Sequence, residues 1–138
     1  NFTEFQNVLA KLLKFKKKIN FLIESNIEIQ SFVKLVNNIG SKRISFLFDT
    51  GNRVNLGYDM ERDVINLNKL LSHVHIKDKN DQNQNVALGT GNVNFSKFFK
   101  SLKKINYTQH FTLETTRLDN PIKTAKKNIM FLKKKIKK

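Results

Sequence analysis

Four residues that can bind a divalent metal ion stand near the ends of four short apolar segments. The segments are INFLIE, RISFLFD, HVHIK and HFTLET, and they carry Glu24, Asp49, His75 and Glu114. Carboxylate oxygens with one imidazole nitrogen suit Mn²⁺, Mg²⁺, Co²⁺ or Zn²⁺ rather than a soft metal. Without a cation, three adjacent carboxylates would repel one another, and at least one would take up a proton. The residues therefore predict a metal site if the fold brings the four segment ends together.

Apolar residues at helical spacing separate these strand-length segments. The helical patterns cover residues 2–12, 29–36, 60–71, 95–105 and 122–136. Gly40 follows the second pattern and predicts a C-cap, and Asn94 precedes the fourth and predicts an N-cap. The nearby LGTGN segment lacks the Lys-Ser/Thr ending of a P-loop, so we interpret it as the loop that leads into the fourth helix. The predicted order is one helix followed by four strand–helix units.

Strict alternation of strands and helices predicts an α/β fold with a parallel sheet. The four candidate ligands are 25, 26 and 39 residues apart along the chain. One unit of a (β/α)₈ TIM barrel has about this length, because roughly 250 residues cover eight units. We therefore expect residues 1–138 to form a single partial domain, half of a TIM barrel. An open four-stranded parallel sheet is the alternative.

Strand alternation separates bulky side chains from ionisable ones, because successive residues point to opposite faces. Phe46 and Phe48 point to one face, whereas Asp49 points to the other. His73 and His75 share that second face, with His73 about 7 Å deeper. In a barrel the second face is the interior, and the carboxyl ends of the strands hold the active site. His75 is thus the predicted imidazole ligand, and His73 is interpreted as a hydrogen-bonded interior residue.

Composition narrows the choice of partners and location. The formal net charge is +15, yet only four of the 26 basic residues are arginine. Since nucleic-acid readers favour the planar fork of arginine, this bias argues against nucleic acid.

No apolar run approaches the roughly 20 residues of a membrane span, and the lysine-rich last helix is interpreted as packing on the barrel. The absence of cysteine is compatible with a cytoplasmic protein. A first residue other than Met suggests a processed or fragmentary chain.

A family resemblance adds to this pattern. The motifs IESN, FLFDTGN, HVHIKD, LGTGNVNFSKFFKSLKKINY and FTLET resemble, in that order, the C-terminal half of the xylose-isomerase-like TIM barrels. The similar branch is that of sugar phosphate isomerases and epimerases, and the resemblance covers about residues 18–133. It implies that the chain supplies barrel strands five to eight after one preceding helix. It also implies a divalent metal held by Glu24, Asp49, His75 and Glu114.

The implied reaction is isomerisation or epimerisation of a sugar or sugar phosphate through an enediolate. A metal at the carbonyl and adjacent hydroxyl stabilises the negative charge of the enediolate. In the epimerase relatives the two glutamates are also the acid/base pair, which assigns proton removal and return to Glu24 and Glu114. Lys77 and Lys79 are candidates to hold a phosphate or hydroxyl, or are solvated charges at a loop mouth.

The expected substrate residues depart from the ketose 3-epimerase pattern. Asn52 stands where those enzymes have a histidine, and Gln30 where they have a glutamate. Asp81 stands where they have an arginine. Asn52 remains a candidate for contacting the substrate. The metal-binding residues match the family pattern and the substrate-binding residues do not. The substrate is therefore left open between another sugar, a hydroxy acid and a polyol.

Two other functions compete with this one. An apurinic-endonuclease-like repair nuclease shares the barrel and metal-bound carboxylates but needs further histidine ligands, and the chain has three histidines. The high positive charge is the argument in its favour. The other alternative is an inactive barrel fragment, because four strands are missing. Half a barrel exposes edge strands and its inner face, so we expect little activity and either aggregation, a homo-oligomer or completion by the missing N-terminal half.

Overall fold

The computed structural model describes residues 2–136. The helices are α1 (Phe2–Phe15), α2 (Ile29–Ile39), α3 (Thr50–Asn55), α4 (Met60–Leu67), α5 (Phe95–Lys104) and α6 (Pro121–Ile136). The strands are β1 (Phe21–Glu24), β2 (Ile44–Asp49), β3 (Leu71–Ile76) and β4 (His110–Leu113). A 3₁₀ turn at Asn68–Leu70 joins α4 to β3. Within residues 2–136, every helix is too short or too polar to span a bilayer.

All four strands are parallel and lie in chain order, β1-β2-β3-β4. A doubly wound sheet reverses its strand order at a switch point, and no reversal occurs among the described strands. Sequential right-handed crossovers place every connecting helix on the same face of the sheet. On that face Phe46, Phe48 and Val74 are fully buried, whereas Glu24 and Thr112 on the opposite face are exposed. This arrangement is the wall of a barrel, with helices outside and the inner face open.

The core forms between the sheet and the helices and is rich in phenylalanine. Phe32 of α2 packs edge-on against Phe46 at a centroid distance of 4.8 Å, and Phe98 of α5 lies 5.3 Å from Phe48. All four rings are fully buried. Burying one such side chain stabilises the fold by roughly 1.5–3 kcal/mol. The helical periodicity in the sequence therefore marks the faces that cover the sheet.

The predicted helices and strands are present, most with ends shifted by one to three residues, and two larger corrections apply. Gly40 caps α2 in the left-handed region at φ 67°, and the Asn94 side chain accepts a hydrogen bond from Lys97 N, as predicted. The third predicted helix ends at Leu67 rather than residue 71, because Asn68 leaves the helical region at φ 45°. Helix α3 was not predicted. Its six residues are too few to establish an apolar period.

A buried ion pair joins α3 to α4. Arg53 is 1% exposed, and its Nε and Nη2 donate to Asp63 Oδ2 at 2.9 and 2.7 Å. The guanidinium also stacks over the Tyr58 ring, 4.3 Å from its centroid. Burial raises the pKa of Asp63, although the neighbouring Arg53 opposes that shift. The pair fixes the connection that follows the strand carrying Asp49.

Candidate metal and substrate site

Three of the four predicted ligands converge at the carboxyl edge of the sheet. Glu24, Asp49 and His75 each offer one ligand atom, and these atoms lie within 4.8 Å of one another. The parallel register places Asp49 directly opposite His75, and it places Glu24 opposite Leu47, two residues before Asp49 on the same face. Neighbouring strands in a sheet are only about 4.8 Å apart, so side chains at equal depth on the same face meet.

The two carboxylate oxygens of Asp49 have different roles. Oδ1 accepts a hydrogen bond from Asn52 N at 2.8 Å and caps α3. Oδ2 is buried and lies 3.0 Å from Lys77 Nζ, yet no described donor forms an aligned hydrogen bond with it. His75 Nδ1 is likewise buried without an aligned partner, although Glu114 Oε2 lies 2.7 Å away. Buried polar atoms are normally satisfied, so these two atoms fit a divalent metal ion as ligands.

Glu114 stands beside this group rather than within it. The residue follows β4 directly, and its backbone N donates to Ile76 O at 3.0 Å. Its carboxylate is half exposed and contacts Lys77 Nζ at 2.7 Å through Oε1. The hydrogen bond from Lys77 lowers the pKa of Glu114, while partial burial opposes the shift. The side chain is therefore an ionised carboxylate at neutral pH, at the rim of the site.

Lys77 is buried at the end of β3 instead of being solvated. Its side chain is 8% exposed, and its Nζ lies between the carboxylates of Asp49 and Glu114. Burial alone would lower the pKa of Lys77, but the two neighbouring carboxylates raise it above the usual value. The solvated-charge interpretation of Lys77 is therefore wrong. Lys79, by contrast, donates from Nζ to Asn83 Oδ1 at 2.9 Å on the exposed side.

His73 occupies the deeper position expected from its place in the strand. Its Nε2 shares a 2.8 Å hydrogen bond with Thr112 Oγ1 on β4. Burial lowers the pKa of His73, and the nearby His75 and His110 add to this effect. The ring is thus neutral at physiological pH and belongs to the inner face, as interpreted from the sequence.

A polar cavity of about 510 Å³ adjoins the ligand group. Asn52 connects the two, because it lines the cavity and its Nδ2 donates to Glu24 Oε1 at 3.4 Å. Lys79 and Asp81 also line the cavity, together with four further asparagines: Asn26, Asn55, Asn83 and Asn92. Of these asparagines, only Asn52 was predicted as a site residue from the sequence. Their role depends on three loops meeting, and no spacing within one loop reveals it.

Asp78 organises the loop that forms one wall of the cavity. The residue is 1% exposed, and its carboxylate accepts backbone hydrogen bonds from Lys79, Gly89, Gly91 and Val93 at 2.8–3.1 Å. A Cβ at Gly91 would collide with the Lys79 carbonyl and with Asp78 Oδ1. This role of Asp78 was not predicted. The feature of the sequence that indicates it is an aspartate at a strand end followed by the Gly-Thr-Gly segment.

The singly wound parallel sheet, with its ligand group at the carboxyl edge, defines a TIM-barrel-like α/β protein. A match to the xylose isomerase-like TIM barrel family extends over residues 2–135, and the chain belongs to that family. An uncharacterised protein of Methanocaldococcus jannaschii is 28% identical over 108 residues, which are 76% of this chain and 37% of that protein.

Solved structures support the same fold. A D-allulose 3-epimerase from Methylomonas sp. is 21% identical with a TM-score of 0.80, over 98% of this chain and 56% of that chain. The IolI protein, whose structure contains a zinc atom, is 18% identical with a TM-score of 0.72, over 94% of this chain and 52% of that chain. The chain thus spans about half the length of these structures.

Proposed function

We propose that this chain carries the metal-binding part of a sugar or sugar phosphate isomerase or epimerase. The observation that carries the proposal is the pair of buried atoms without aligned partners, Asp49 Oδ2 and His75 Nδ1, beside Glu24. The proposed ligands are these three residues and Glu114. The ion is Mn²⁺, Mg²⁺, Co²⁺ or Zn²⁺, and the zinc in the IolI structure supports such a cofactor on this fold.

The proposed reaction is proton transfer through an enediolate. A divalent ion held by these residues would supply positive charge that favours removal of the proton next to the carbonyl. Glu24 ends β1 and Glu114 follows β4, so the two carboxylates lie on opposite edge strands of the described sheet, both at its carboxyl end. One carboxylate removes the proton next to the carbonyl, and the other returns a proton. Asn52 orients Glu24 through its amide, and Lys77 keeps Glu114 ionised and able to accept a proton.

The amide-lined cavity is the proposed substrate pocket. Its volume of about 510 Å³ suits a small molecule, since ligand pockets usually measure roughly 300–1,000 Å³. Carboxamides both donate and accept hydrogen bonds, which matches the hydroxyl groups of a sugar. Asn52 and Lys79 line this cavity and remain candidate substrate contacts, whereas Lys77 contacts the carboxylates instead. The D-allulose 3-epimerase of the same fold supports a sugar as the substrate class.

We further propose that residues 1–138 are one partial domain equivalent to barrel strands five to eight. The coverage of about half of each solved structure supports a partial barrel, and the assignment to strands five to eight follows the motif resemblance. Leu22, on the inner face of β1, is 44% exposed and borders an apolar groove with Phe5 and Ile27. The missing N-terminal half, or a second copy of the chain, would cover this face. A cytoplasmic location completes the proposal and accords with the cysteine-free composition.

The test combines metal analysis with solvent deuterium exchange on the full-length protein. Bound metal is measured by elemental analysis, and deuterium uptake into a panel of ketoses and sugar phosphates is followed by NMR. We expect exchange at the carbon next to the carbonyl, lost in Glu24→Gln and Glu114→Gln. Exchange should persist in Glu28→Gln, which alters an exposed glutamate outside the site.

The same preparation tests the competing nuclease function. Metal-dependent nicking of abasic DNA, without exchange into any sugar, would overturn the proposal in favour of an endonuclease. Among the three histidines, His110 begins β4 and is exposed, while His73 is bonded to Thr112. Neither supplies the further ligands of a multi-metal cluster.

A further inference from the structure

The ammonium group of Lys77 lies between the carboxylates of Asp49 and Glu114, beside the candidate metal site. Lys77 Nζ lies 3.0 Å from Asp49 Oδ2 and 2.7 Å from Glu114 Oε1. Asp49 Oδ2 is one of the two buried atoms that lack an aligned hydrogen bond from the described residues. Lys77 and a metal ion would therefore contact the same oxygen of Asp49.

Contacts with the backbone and with the aliphatic side chain hold Lys77 in this position. Thr50 Oγ1 accepts from Lys77 N at 2.9 Å and donates to Lys77 O at 2.6 Å, which fixes the backbone. The aliphatic stem then lies against Gly51 in the first turn of α3, where a Cβ would stand 2.9 Å from Lys77 Cγ. Any larger residue at position 51 would push the stem away. Thr50 and Gly51 thus aim the ammonium at the carboxylates.

The charges indicate what this arrangement does. Glu24, Asp49 and Glu114 have three formal negative charges, and the formal charge of Lys77 reduces the total to a value that a divalent ion neutralises. Like charges at short range in a partly buried site repel strongly. Removing the ammonium would therefore leave a more negative site that binds a cation more tightly.

We propose that Lys77 is a built-in competitor that sets the affinity of this site for divalent metal. In the metal-free protein the ammonium compensates Asp49 and Glu114, and metal binding must draw Asp49 Oδ2 away from it. The inference rests on the proposed function, because it requires that Glu24, Asp49 and His75 bind a metal ion. The inference concerns the effect of the Lys77 ammonium on metal affinity and not the chemical reaction.

The test is the affinity of the full-length protein for Mn²⁺, measured by isothermal titration calorimetry at neutral pH. We expect Lys77→Met, which keeps the aliphatic stem, to bind Mn²⁺ about tenfold more tightly or better. The matched control is Lys79→Met, which removes the same charge two residues away but breaks only a bond to Asn83. Its affinity should change less than about threefold, since exposed charges are screened.

A second variant keeps the inference testable if Lys77→Met does not fold. Gly51→Ala changes neither a ligand nor a charge, but its Cβ displaces the lysine stem. It should shift the Mn²⁺ affinity in the same direction. Metal-free Lys77→Met should also melt at a lower temperature than the parent and gain more from added Mn²⁺, because its carboxylates lack compensation.

The outcomes separate this inference from the proposed function. If the parent binds Mn²⁺ and both Lys77→Met and Gly51→Ala bind it equally or more weakly, the competitor role is wrong and the metal site stands. An equal gain in Lys79→Met also overturns the role, since the effect would then be general charge. If neither the parent nor any variant binds Mn²⁺, both proposals fail.

Discussion

Asp49 lies directly opposite His75 in the register of β2 and β3, and the same carboxylate caps α3. One side chain therefore links the sheet, the following helix and the candidate metal site. Its Oδ1 is held by Asn52 N, so its Oδ2 has one fixed direction. This division of the two oxygens allows the structural and ligand roles of Asp49 to be tested separately.

Replacing Asp49 should separate helix capping from metal binding. Asn caps helices as well as Asp does, so Asp49→Asn should keep the cap and lose most of the metal affinity. Asp49→Ala should lose both and be less stable than Asp49→Asn by about 1 kcal/mol. Urea denaturation and Mn²⁺ titration measure the two effects. Equal stability of the two variants would contradict the capping role.

Breaking the buried Arg53–Asp63 pair should strongly destabilise the fold. Asp63→Asn leaves the guanidinium of Arg53 buried without its charge partner, and we expect a loss of about 3–5 kcal/mol. Glu61→Gln on the same helix is the control, since its contact with Lys97 spans 3.8 Å at the surface. That change should cost under about 1 kcal/mol. Comparable losses in chemical denaturation would refute the assignment.

Asp78 should hold the cavity loop in place. Asp78→Ala removes the acceptor of four backbone hydrogen bonds, so the amides of Gly89, Gly91 and Val93 should lose protection in hydrogen exchange. Asp81→Ala removes a carboxylate of the same loop that accepts only from the Asn92 side chain among the described contacts. The three amides should remain protected in this control. Unchanged exchange in Asp78→Ala would show that another contact anchors the loop.

Tyr107 should ionise late and make the fold sensitive to alkali. Burial raises the pKa of its phenol, whose hydroxyl donates to His110 O at 2.8 Å. The folded state therefore keeps a proton that the unfolded state releases at a pH near 10, and stability should fall as the pH rises above 10. Absorbance titration of Tyr58→Phe isolates the phenol of Tyr107. In Tyr107→Phe, the free energy of unfolding should fall less above pH 10 than in the parent. An equal fall in both proteins would show that another group causes the alkaline sensitivity.

The chain by itself should self-associate. Its inner face exposes Leu22, and β1 and β4 are edge strands of the described sheet. Parallel sheets are normally covered on both faces, and open edges invite pairing with another chain. Size-exclusion chromatography with light scattering should report oligomers or aggregates. A stable, active monomer with a cooperative thermal melt would contradict the half-barrel assignment.

Local patterns in the sequence were sufficient for most of the fold. Alternating strand and helix periods predicted the parallel sheet, and the Gly40 and Asn94 caps marked two helix boundaries. Strand alternation predicted the shared face of Asp49 and His75, because side-chain direction in a strand depends only on position. Helix α3 was not predicted because it is short and is marked by the Asp49 cap rather than by an apolar period.

The sequence by itself determined which residue types stand at the strand ends, and hence that carboxylates and a histidine share one edge. Only the tertiary structure decided how they are used. It grouped Glu24 with Asp49 and His75, left Glu114 at the rim, and placed Lys77 between two carboxylates. The physical reason is that these contacts join different strands and depend on the path of each side chain. For Lys77 that path exists because Gly51, 26 residues earlier in the chain, carries no side chain.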